Sequence, residues 1–508
     1  MDEKQLGTVV SNFDGPSPSR VDFVINNGMI HKGMFVEIPY SQGNMICMVE
    51  DLIKTNRYFE RPDSVKTIGS EMENHFPVAD WEFLIAKTRP LGIFSENKQI
   101  QRPTFPPSPG TKVFIAEGEN IKRFLGIDEK GLMLGEIPFH NVNLKPKLSK
   151  LLQKHLAILA TSGAGKSFLT SVIIEEILQR QKEDGQIALL LFDVHNEYSF
   201  FGEGVTDNKY TDYSSKTKII NGKDIKFKCS SITPSVLSSI FPKITHIQKR
   251  EILNIINKLK QEMKSGAGPF DLNKIKNEVL NLDEKTANPL IAMLNEVEQL
   301  NLFEKIEKPS IYDFLKQGQL TIINLNDIMD ERKKQIIVAL VSRKLFNLRQ
   351  DNYSKIPPFT LIVEEAHNFI PESTAGERAI AREPLTTIAR EGRKFGASLV
   401  VISQRPKRLS SSILANCNTQ IILRITNPYD LDHIKQTSEG LDSTSINMIP
   451  SLKVGDALIV GEAVNAPTFF KVRLKKSQNS KHEFTLEDLA KRFNEKEEIV
   501  NKDTEAYL

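Results

Sequence analysis

The segment TSGAGKSF, residues 161–168, has the residue types of a loop that binds phosphate groups. It lies between the apolar segment HLAILA (155–160) and a stretch with helical spacing, so the predicted context is strand, turn and helix. In that context successive backbone N–H groups and the helix N-terminus point at phosphate oxygens. Lys166 would reach the β and γ phosphates of ATP, and the hydroxyl of Ser167 would bind Mg²⁺. The predicted cofactor-binding residues of this loop are Ser162, Gly163, Ala164, Gly165, Lys166, Ser167 and Phe168.

The P-loop pattern usually opens with a glycine five positions before Gly165, and this chain has Ala160 there. Alanine tolerates most loop conformations other than those with positive φ, so the departure is mild. The helix after the loop is predicted to be amphipathic. Its apolar face includes Leu169, Ile173, Ile174 and Ile177.

The segment FTLIVEEAH, residues 359–367, is an apolar run that ends in two glutamates. Such a run predicts a strand buried on both faces, where adjacent carboxylates are costly unless the site needs negative charge. A P-loop ATPase has that need. It requires one acid that supports Mg²⁺ through water, here Glu364, and one that polarises the attacking water, here Glu365. The alternative is that both acids only stabilise the N-terminus of a helix.

Two further segments carry candidate catalytic side chains. ASLVVISQRP ends a predicted strand at Ser403 and Gln404, where the amide of Gln404 could sense the γ-phosphate or hold the water. A buried glutamine that only forms structural hydrogen bonds is the alternative. IAREGRKFG places Arg390 and Arg393 near the end of the preceding helix. They could complement the helix dipole, or act as arginine fingers on a neighbouring subunit's ATP, which would require an oligomer.

The segment LLFDVHNEYS, residues 190–199, ends a third predicted strand in a cluster of polar residues. Ligands gather along the carboxyl edge of open α/β sheets. We therefore predict an auxiliary role near the nucleotide or DNA for Asp193 and Glu197, which flank His195. Taken singly, His195 is expected to be structural.

These side chains require a parallel sheet covered by helices, and the apolar runs between helical segments fit that architecture. The predicted strands are HLAILA (155–160), IALLLFD (187–193), LTIINL (320–325), FTLIVE (359–364), ASLVVIS (397–403) and TQIILRI (419–425). Short alternating segments separated by Gly, Pro, Asn and Ser before about residue 145 predict a small β-barrel or sandwich. Helical spacing between 230 and 315 predicts an inserted helical subdomain. A further helix is predicted at 485–500, followed by a charged tail.

Composition narrows the class of protein without deciding it. The chain has 508 residues, too many for one ordinary domain, and a net charge of only +3. A DNA-binding surface would therefore be a local patch, for which 405–408 (RPKR) and 218–228 are candidates alongside ordinary solvated surface. The start lacks the pattern of a signal peptide and no stretch is apolar enough to cross a bilayer, so we expect a cytoplasmic protein with no membrane partner. The three cysteines have no paired spacing, which predicts buried, reduced thiols.

Taken together, the segments resemble the HerA branch of the HerA/FtsK superfamily of hexameric DNA-pumping ATPases. The matching segments, in order, are HLAILATSGAGKS, LLFDVHNEYS, IVEEAHNFIP, IAREGRKFG, VVISQRPKRLSSSIL and VGDALIVG. The resemblance spans about residues 1–475 and implies an α/β fold: a RecA-like P-loop ATPase core with an N-terminal β-barrel and an inserted helical subdomain.

The resemblance also implies a division of the chain and roles for individual residues. The implied domains are a HAS-barrel-like domain at 1–145, core segments at 146–230 and 316–475, the insertion at 231–315, and a C-terminal brace or tail at 476–508. The implied roles are P-loop lysine for Lys166, magnesium ligand for Ser167, catalytic base for Glu365, sensor for Gln404 and trans finger for Arg393, with Arg390 as its competitor. Archaeal members tend to carry an arginine near the nucleotide where this chain has Lys154, which keeps the charge but loses the planar fork.

The function implied by the resemblance is that of an ATP-driven homohexameric ring that translocates on or unwinds duplex DNA. Its implied partner is a nuclease of the NurA type, or a bacterial antiphage effector such as a SIR2-like or nuclease protein, docked at the N-terminal barrel. Two other classes stay open. One is a scaffolding ATPase whose ring assembles and activates an effector, and the other is a P-loop phosphotransferase that acts on a small molecule.

Overall fold

The structure is a computed structural model. It describes residues 5–11, 15–26, 28–41, 43–56, 79–94, 100–205, 207–241, 243–353, 355–373, 379–438 and 440–479, and the single positions 59, 66, 486, 487, 490, 491 and 493. The chain forms two compact units. The first comprises Met1–Lys166 and Ser403–Arg473, and the second comprises Ser167–Ile402 and Leu474–Leu508. No helix among the described residues has the length and apolar character that a membrane crossing requires.

The first unit opens with a closed β-barrel. Its strands are β1 (Gln5–Val9), β2 (Val21–Ile25), β3 (Phe35–Tyr40), β4 (Gly43–Asn56), β5 (Glu82–Phe94), β6 (Ile100–Gln101) and β7 (Lys112–Ile115). They pair in the order β2-β1-β7-β3-β4-β5-β6, and an additional β2–β5 pairing closes the barrel. Alternate side chains from most of these strands, including Val21, Val36 and Val113, form its apolar core. The barrel predicted from the short alternating segments is confirmed.

The rest of the first unit surrounds the strand that leads into the P-loop. Its strands are β8 (Gly135–Ile137), β9 (Val142–Leu144), β10 (Leu156–Leu159), β18 (Thr419–Ile422), β19 (Asp456–Gly461) and β20 (Thr468–Val472). They follow the order β10-β18-β19-β20-β8-β9, in which only β10 and β18 run parallel. Its helices are α1 (Gly118–Leu125), α2 (Leu148–Leu152), α11 (Ser411–Asn416), α12 (Pro428–Thr437) and α13 (Ser443–Met448).

The second unit contains a parallel sheet in which four of the five strands are buried along their whole length. Its strands are β11 (Ala188–Asp193), β12 (Thr217–Asn221), β15 (Leu320–Asn324), β16 (Phe359–Val363) and β17 (Ala397–Ser403), and all but β12 are buried at every residue. Their order is β12-β15-β11-β16-β17. In the register Phe192 pairs with Val363 and Val363 pairs with Val401, so the strand ends carrying Asp193 and Glu364 lie at the same edge.

Helices and a small insertion complete the second unit. The helices beside the sheet are α3 (Lys166–Leu178), α8 (Glu331–Asp351), α9 (Ala366–Phe369) and α10 (Arg382–Phe395). The insertion contains α4 (Pro234–Ile240), α5 (His246–Glu262), α6 (Leu272–Val279) and α7 (Glu284–Gln299), with β13 (Phe227–Lys228) paired to β14 (Phe303–Glu304). Side chains of Thr245, Asp271 and Asp283 cap three of these helices, as expected for these residue types. The five-domain boundaries taken from the sequence stay a prediction.

The helix α3, which begins at the P-loop lysine, differs from its prediction. Leu169, Ile173, Ile174 and Ile177 are buried as expected, but so are most other positions, including Glu175, so the helix is not amphipathic. The reason is that residues 474–478, here called the strap, cover the side that carries Glu175. The helix predicted at 485–500 lies outside the described residues except for five positions.

Candidate active site

The P-loop has the backbone geometry that its glycines predict. Gly163 and Gly165 adopt φ values of 74° and 99°, which favour residues without a Cβ atom. Ala160, in contrast, has no positive φ, so alanine causes no strain there. The loop is exposed at Ser162 and Gly163, is buried at Ala164, and leads into α3 at Lys166.

The start of the P-loop is anchored within the first unit. The amide of Ala160 donates to the carbonyl oxygen of Ser403 (3.2 Å), and the amide and hydroxyl of Thr161 donate to the carbonyl oxygen of Arg424 (3.0 and 2.8 Å). The half-buried Gln404 directly follows Ser403, so its backbone is one residue from a P-loop contact. Lys154, before the strand, forms an ion pair with Glu462 (2.6 Å), with about a third of each side chain exposed.

In the second unit the P-loop serine contacts the turn after β11. The hydroxyl of Ser167 donates to the carboxylate of Glu197. The same turn is capped by Asp193, whose two carboxylate oxygens accept from the amides of Glu197 and Tyr198 at 3.0 Å each. His195 is exposed. Burial raises the pKa of Asp193, and the two amide donors oppose that shift.

Glu364 supports this turn from the neighbouring strand. Its side chain is fully buried, and Oε2 accepts from the amides of Val194 (2.8 Å) and His195 (3.3 Å). The neighbouring carboxyl group of Glu364 also opposes the rise in the pKa of Asp193. Two buried acids from adjacent strands therefore hold the backbone of one turn, which offsets much of the cost of their burial.

Glu365 lies at a strained position of the site. It adopts φ 47° and ψ 43°, a left-handed conformation that costs a non-glycine residue about 1–2 kcal/mol. The side chain is only 2% exposed, and Oε2 lies 3.2 Å from Nδ1 of His367. Strain of this kind persists where the surrounding structure imposes it, and it is concentrated at functional sites.

The two candidate arginines lie on helix α10, which leads into β17. Arg390 and Arg393 are both exposed. Gly392 between them is buried, and a Cβ atom there would meet the carbonyl oxygen of Ala397 at 2.2 Å. The glycine therefore permits the close turn from helix to strand, while the arginines on either side remain accessible.

The end of α10 is tied to α8 by Arg349. Its guanidinium group donates to the carbonyl oxygens of Phe395 (2.7 Å), Tyr353 (2.6 Å) and Ile356 (2.5 Å). Three carbonyl acceptors restrain the guanidinium group, so the C-terminal turn that carries Arg393 has a fixed position within its unit.

The residues present fit a magnesium–nucleotide complex. Among the residues that the structure describes, no group of three or more His, Cys, Asp or Glu side chains could hold a metal by itself. The P-loop serine hydroxyl with an adjoining carboxylate is instead a small set of hard oxygen donors. Such a set suits Mg²⁺, which keeps several waters and binds through one or two protein ligands together with substrate phosphates.

Two contacts of the site were missed by reasoning from the sequence. No role was predicted for His367, although its position close to Glu365 in the motif EEAH could have indicated a contact between their side chains. Phe168 lies beneath Lys475 of the strap, whose Nζ is 5.9 Å from the centre of its ring and 4.6 Å from that of Phe200. No local signal indicates this second contact, because the partners are separated by hundreds of residues.

Residues 132–345 match the protein family described as "Helicase HerA, central domain". Two proteins named DNA double-strand break repair helicase HerA are similar over most of the chain. The one from Saccharolobus solfataricus is 28% identical over 487 residues, covering 90% of this chain and 91% of the relative. The one from Sulfolobus acidocaldarius is 30% identical over 429 residues, covering 80% and 81%.

A solved structure supports the fold. VirB4 of Thermoanaerobacter pseudethanolicus superposes with a TM-score of 0.50 at 16% identity, covering 68% of this chain and 97% of that protein. At this identity the similarity concerns the fold alone, which is that of a P-loop ATPase core.

Proposed function

This chain belongs to the HerA helicase family of ATPases, and from that premise we propose that it is an ATP-driven motor that translocates on or unwinds duplex DNA. The observation that carries the proposal is the buried, left-handed Glu365 at the end of β16, beside His367. A strained acid at a strand end serves no packing purpose, and it suits a base that must be aimed at a water molecule. The relatives named as double-strand break repair helicases support DNA as the substrate.

In the proposed reaction the P-loop amides and Lys166 hold the phosphates of ATP. Ser167 and an adjoining carboxylate hold Mg²⁺, which neutralises charge that develops on the phosphates. Glu365 accepts a proton from the attacking water, and the ring of His367, 3.2 Å from its carboxylate, restricts the space in which that carboxylate can move. Gln404 is proposed to sense the γ-phosphate, and its position one residue beyond the contact of Ser403 with Ala160 supports that role. Lys154 would contribute only positive charge near the nucleotide, since it is already paired with Glu462.

The exposed Arg390 and Arg393 support a ring. An arginine finger acts on the ATP of the neighbouring subunit, so it must be accessible on its own subunit and held at a fixed position. Both conditions hold on helix α10. We therefore propose a homohexamer with composite sites, in which either arginine could be the finger.

As a DNA-binding surface, the segment 405–408 is better supported than the segment 218–228. Arg405, Lys407 and Arg408 are exposed on a short helical turn, and Nζ of Lys407 lies 4.3 Å over the ring of Tyr429. In contrast, three of the four lysines of the second segment have partners: Lys223 and Lys226 form ion pairs, and Nζ of Lys218 donates to the carbonyl oxygen of Asp313. Exposed cationic side chains would bind phosphates without reading sequence, which predicts affinity that falls steeply with salt.

The barrel is the proposed docking site for a nuclease or antiphage effector. Trp81 and Phe83, on and beside its strand β5, are 38% and 37% exposed and pack edge to face with centroids 6.3 Å apart. Exposed aromatic pairs are typical of protein interfaces. This observation also favours the second candidate function, in which the ring mainly assembles and activates the effector.

The decisive experiment measures ATP hydrolysis by the full chain with and without duplex DNA, after the oligomeric state has been determined by light scattering. Wild-type protein should hydrolyse ATP faster with DNA. Lys166→Ala should lose nucleotide binding, whereas Glu365→Gln should bind ATP and lose at least about 100-fold in rate, because a general base contributes 10²–10⁴. Glu183→Gln, a charge change at an exposed position of the second unit, is the matched control and should behave as wild type.

The outcomes separate the candidate functions. A hexamer whose ATPase activity is indifferent to DNA argues against the motor and for the scaffolding ATPase. An active monomer that phosphorylates a small molecule would overturn both and support the phosphotransferase.

A further inference from the structure

The turn after β11 presents one carboxylate to the P-loop serine. We infer that Glu197 is the acid that supports the magnesium site through Ser167, and that Glu364 and Asp193 are positioning residues that hold the turn. This reverses the assignment in which Glu364 is the acid on the metal side. The inference rests on the proposed nucleotide site and specifies how its acidic residues divide their work.

The carboxylate of Glu364 is buried and is already engaged by backbone amides. Its Oε2 is occupied by the amides of Val194 and His195, and the side chain has no exposed surface. A carboxylate that accepts from two backbone amides is restrained in position and orientation. The other oxygen, Oε1, is buried as well, so Glu364 presents no accessible oxygen to a hydrated cation.

Asp193 performs the same task from the start of the turn. Its oxygens accept from the amides of Glu197 and Tyr198, so four of the five amides from 194 to 198 are held by these two acids. The fifth belongs to Asn196, which adopts a positive φ of 62° and whose side-chain oxygen accepts a 3.0 Å hydrogen bond from the side chain of Asn324. The two acids therefore hold the backbone on both sides of Asn196.

Glu197 is half-buried, and its carboxylate accepts a hydrogen bond from the hydroxyl of Ser167. A hydroxyl group has one donor and two acceptor lone pairs, so Ser167 can donate to Glu197 and still offer an oxygen lone pair to a cation. Binding of Mg²⁺ and the contact with Glu197 are therefore compatible.

The chemical consequence follows from the direction of that hydrogen bond. When a carboxylate accepts a hydrogen bond from a hydroxyl group that binds a metal, it fixes the orientation of that hydroxyl and raises the electron density on the hydroxyl oxygen. Side chains that form hydrogen bonds to metal ligands typically contribute 10–100-fold to metal affinity. Glu197 should therefore matter for nucleotide binding when Mg²⁺ is present and not when it is absent.

The test titrates Mg²⁺ into full-length protein with a fluorescent, non-hydrolysable ATP analogue, so that turnover plays no part. For Glu197→Gln we expect the Mg²⁺ concentration at half-saturation to rise about 10–100-fold, with unchanged analogue affinity in EDTA. Glu364→Gln keeps one acceptor oxygen for the amides and should shift the Mg²⁺ midpoint less. In the Ser167→Ala background, Glu197→Gln should add little further shift, because Glu197 acts on the metal only through Ser167. Glu183→Gln is again the control.

Amide hydrogen exchange distinguishes residues that stabilise the backbone of the turn from a residue that supports metal binding. Glu364→Gln should speed exchange of the amides at 194 and 195, and Asp193→Asn those at 197 and 198. Glu197→Gln should leave all four protected, which also shows that the variant is folded. Two outcomes would overturn the inference about Glu197 but not the proposed function. One is a larger shift of the Mg²⁺ midpoint for Glu364→Gln than for Glu197→Gln. The other is no shift for Glu197→Gln while wild type shows a clear Mg²⁺ dependence. Wild-type protein that binds no nucleotide would overturn the proposed function as well.

Discussion

The contact between the strap and the P-loop helix gives a prediction whose size can be worked out. Glu175 lies on that helix and is fully buried, and its carboxylate accepts from three donors. These are the amides of Lys476 (2.9 Å) and Ser477 (2.8 Å) and the hydroxyl of Ser477 (2.6 Å). Hydrogen bonds to a charged group contribute about 1.5–3 kcal/mol each, against about 0.5–1.5 for neutral ones. Glu175→Gln converts three charged bonds to neutral ones and should cost about 3 kcal/mol.

The matched control is Lys476→Met, on the strap itself. It removes the contacts of Nζ with Glu176 (3.3 Å) and Gln179 (2.7 Å) but keeps the amide that donates to Glu175. The lysine is 44% exposed, so its ion pair with Glu176 should contribute less than about 1 kcal/mol.

The assay is amide hydrogen exchange of a peptide covering the strap, since a chain with two units need not unfold in one step. A loss of about 3 kcal/mol corresponds to exchange roughly 100-fold faster at 476 and 477 in Glu175→Gln, because each 1.4 kcal/mol is a factor of ten. Lys476→Met should change it less than about fivefold. Equal protection in Glu175→Gln and wild type, or equal loss in both variants, would refute the reasoning.

Two further predictions concern the ring and the response to acid. If Arg390 or Arg393 acts in trans, mixing its alanine variant with Glu365→Gln should restore part of the ATPase activity. The reason is that some subunit interfaces then combine an intact arginine with an intact glutamate. If the mixtures stay inactive for both arginines, a trans finger is contradicted. Burial lowers the pKa of His140 to about 4, and its Nε2 accepts from the amide of Phe35 (2.9 Å). The unfolded chain therefore binds more protons between pH 6.5 and about 4, and stability should fall through that window by up to about 3 kcal/mol as pH drops. A thermal-melting pH series in which His140→Gln declines as steeply as wild type would contradict this.

The sheet and the P-loop were predictable because their signals are local. Apolar runs without alternation mark strands buried on both faces, and the predicted ASLVVIS strand has the observed bounds Ala397–Ser403. TQIILRI was predicted too long and ends at Ile422, because apolar character alone does not mark the end of a strand pairing. The P-loop carries its own signal in the spacing of Gly165, Lys166 and Ser167.

The contacts that complete the site were not predictable in the same way. The hydrogen bonds from the amides of residues 194 and 195 to Glu364 join residues about 170 positions apart. No local sequence pattern in either segment specifies these bonds. For the same reason the prediction that α3 is amphipathic was wrong. Its second buried side exists only because the strap returns to Glu175 across 301 positions of sequence. Periodicity describes a helix and one neighbour, whereas this helix has neighbours on most of its sides.

The three thiols of the chain have a practical consequence for measuring motion. Cys47, Cys229 and Cys417 are all buried, and burial raises the pKa of each to about 12. The thiolate is the form that reacts with maleimides, so the native chain should be almost inert to such dyes at neutral pH. A cysteine introduced at an exposed site such as Lys394, beside the candidate finger, would then be the dominant point of attachment. Fluorophores could be placed on the arginine helix of the otherwise natural sequence, without first removing any core residue.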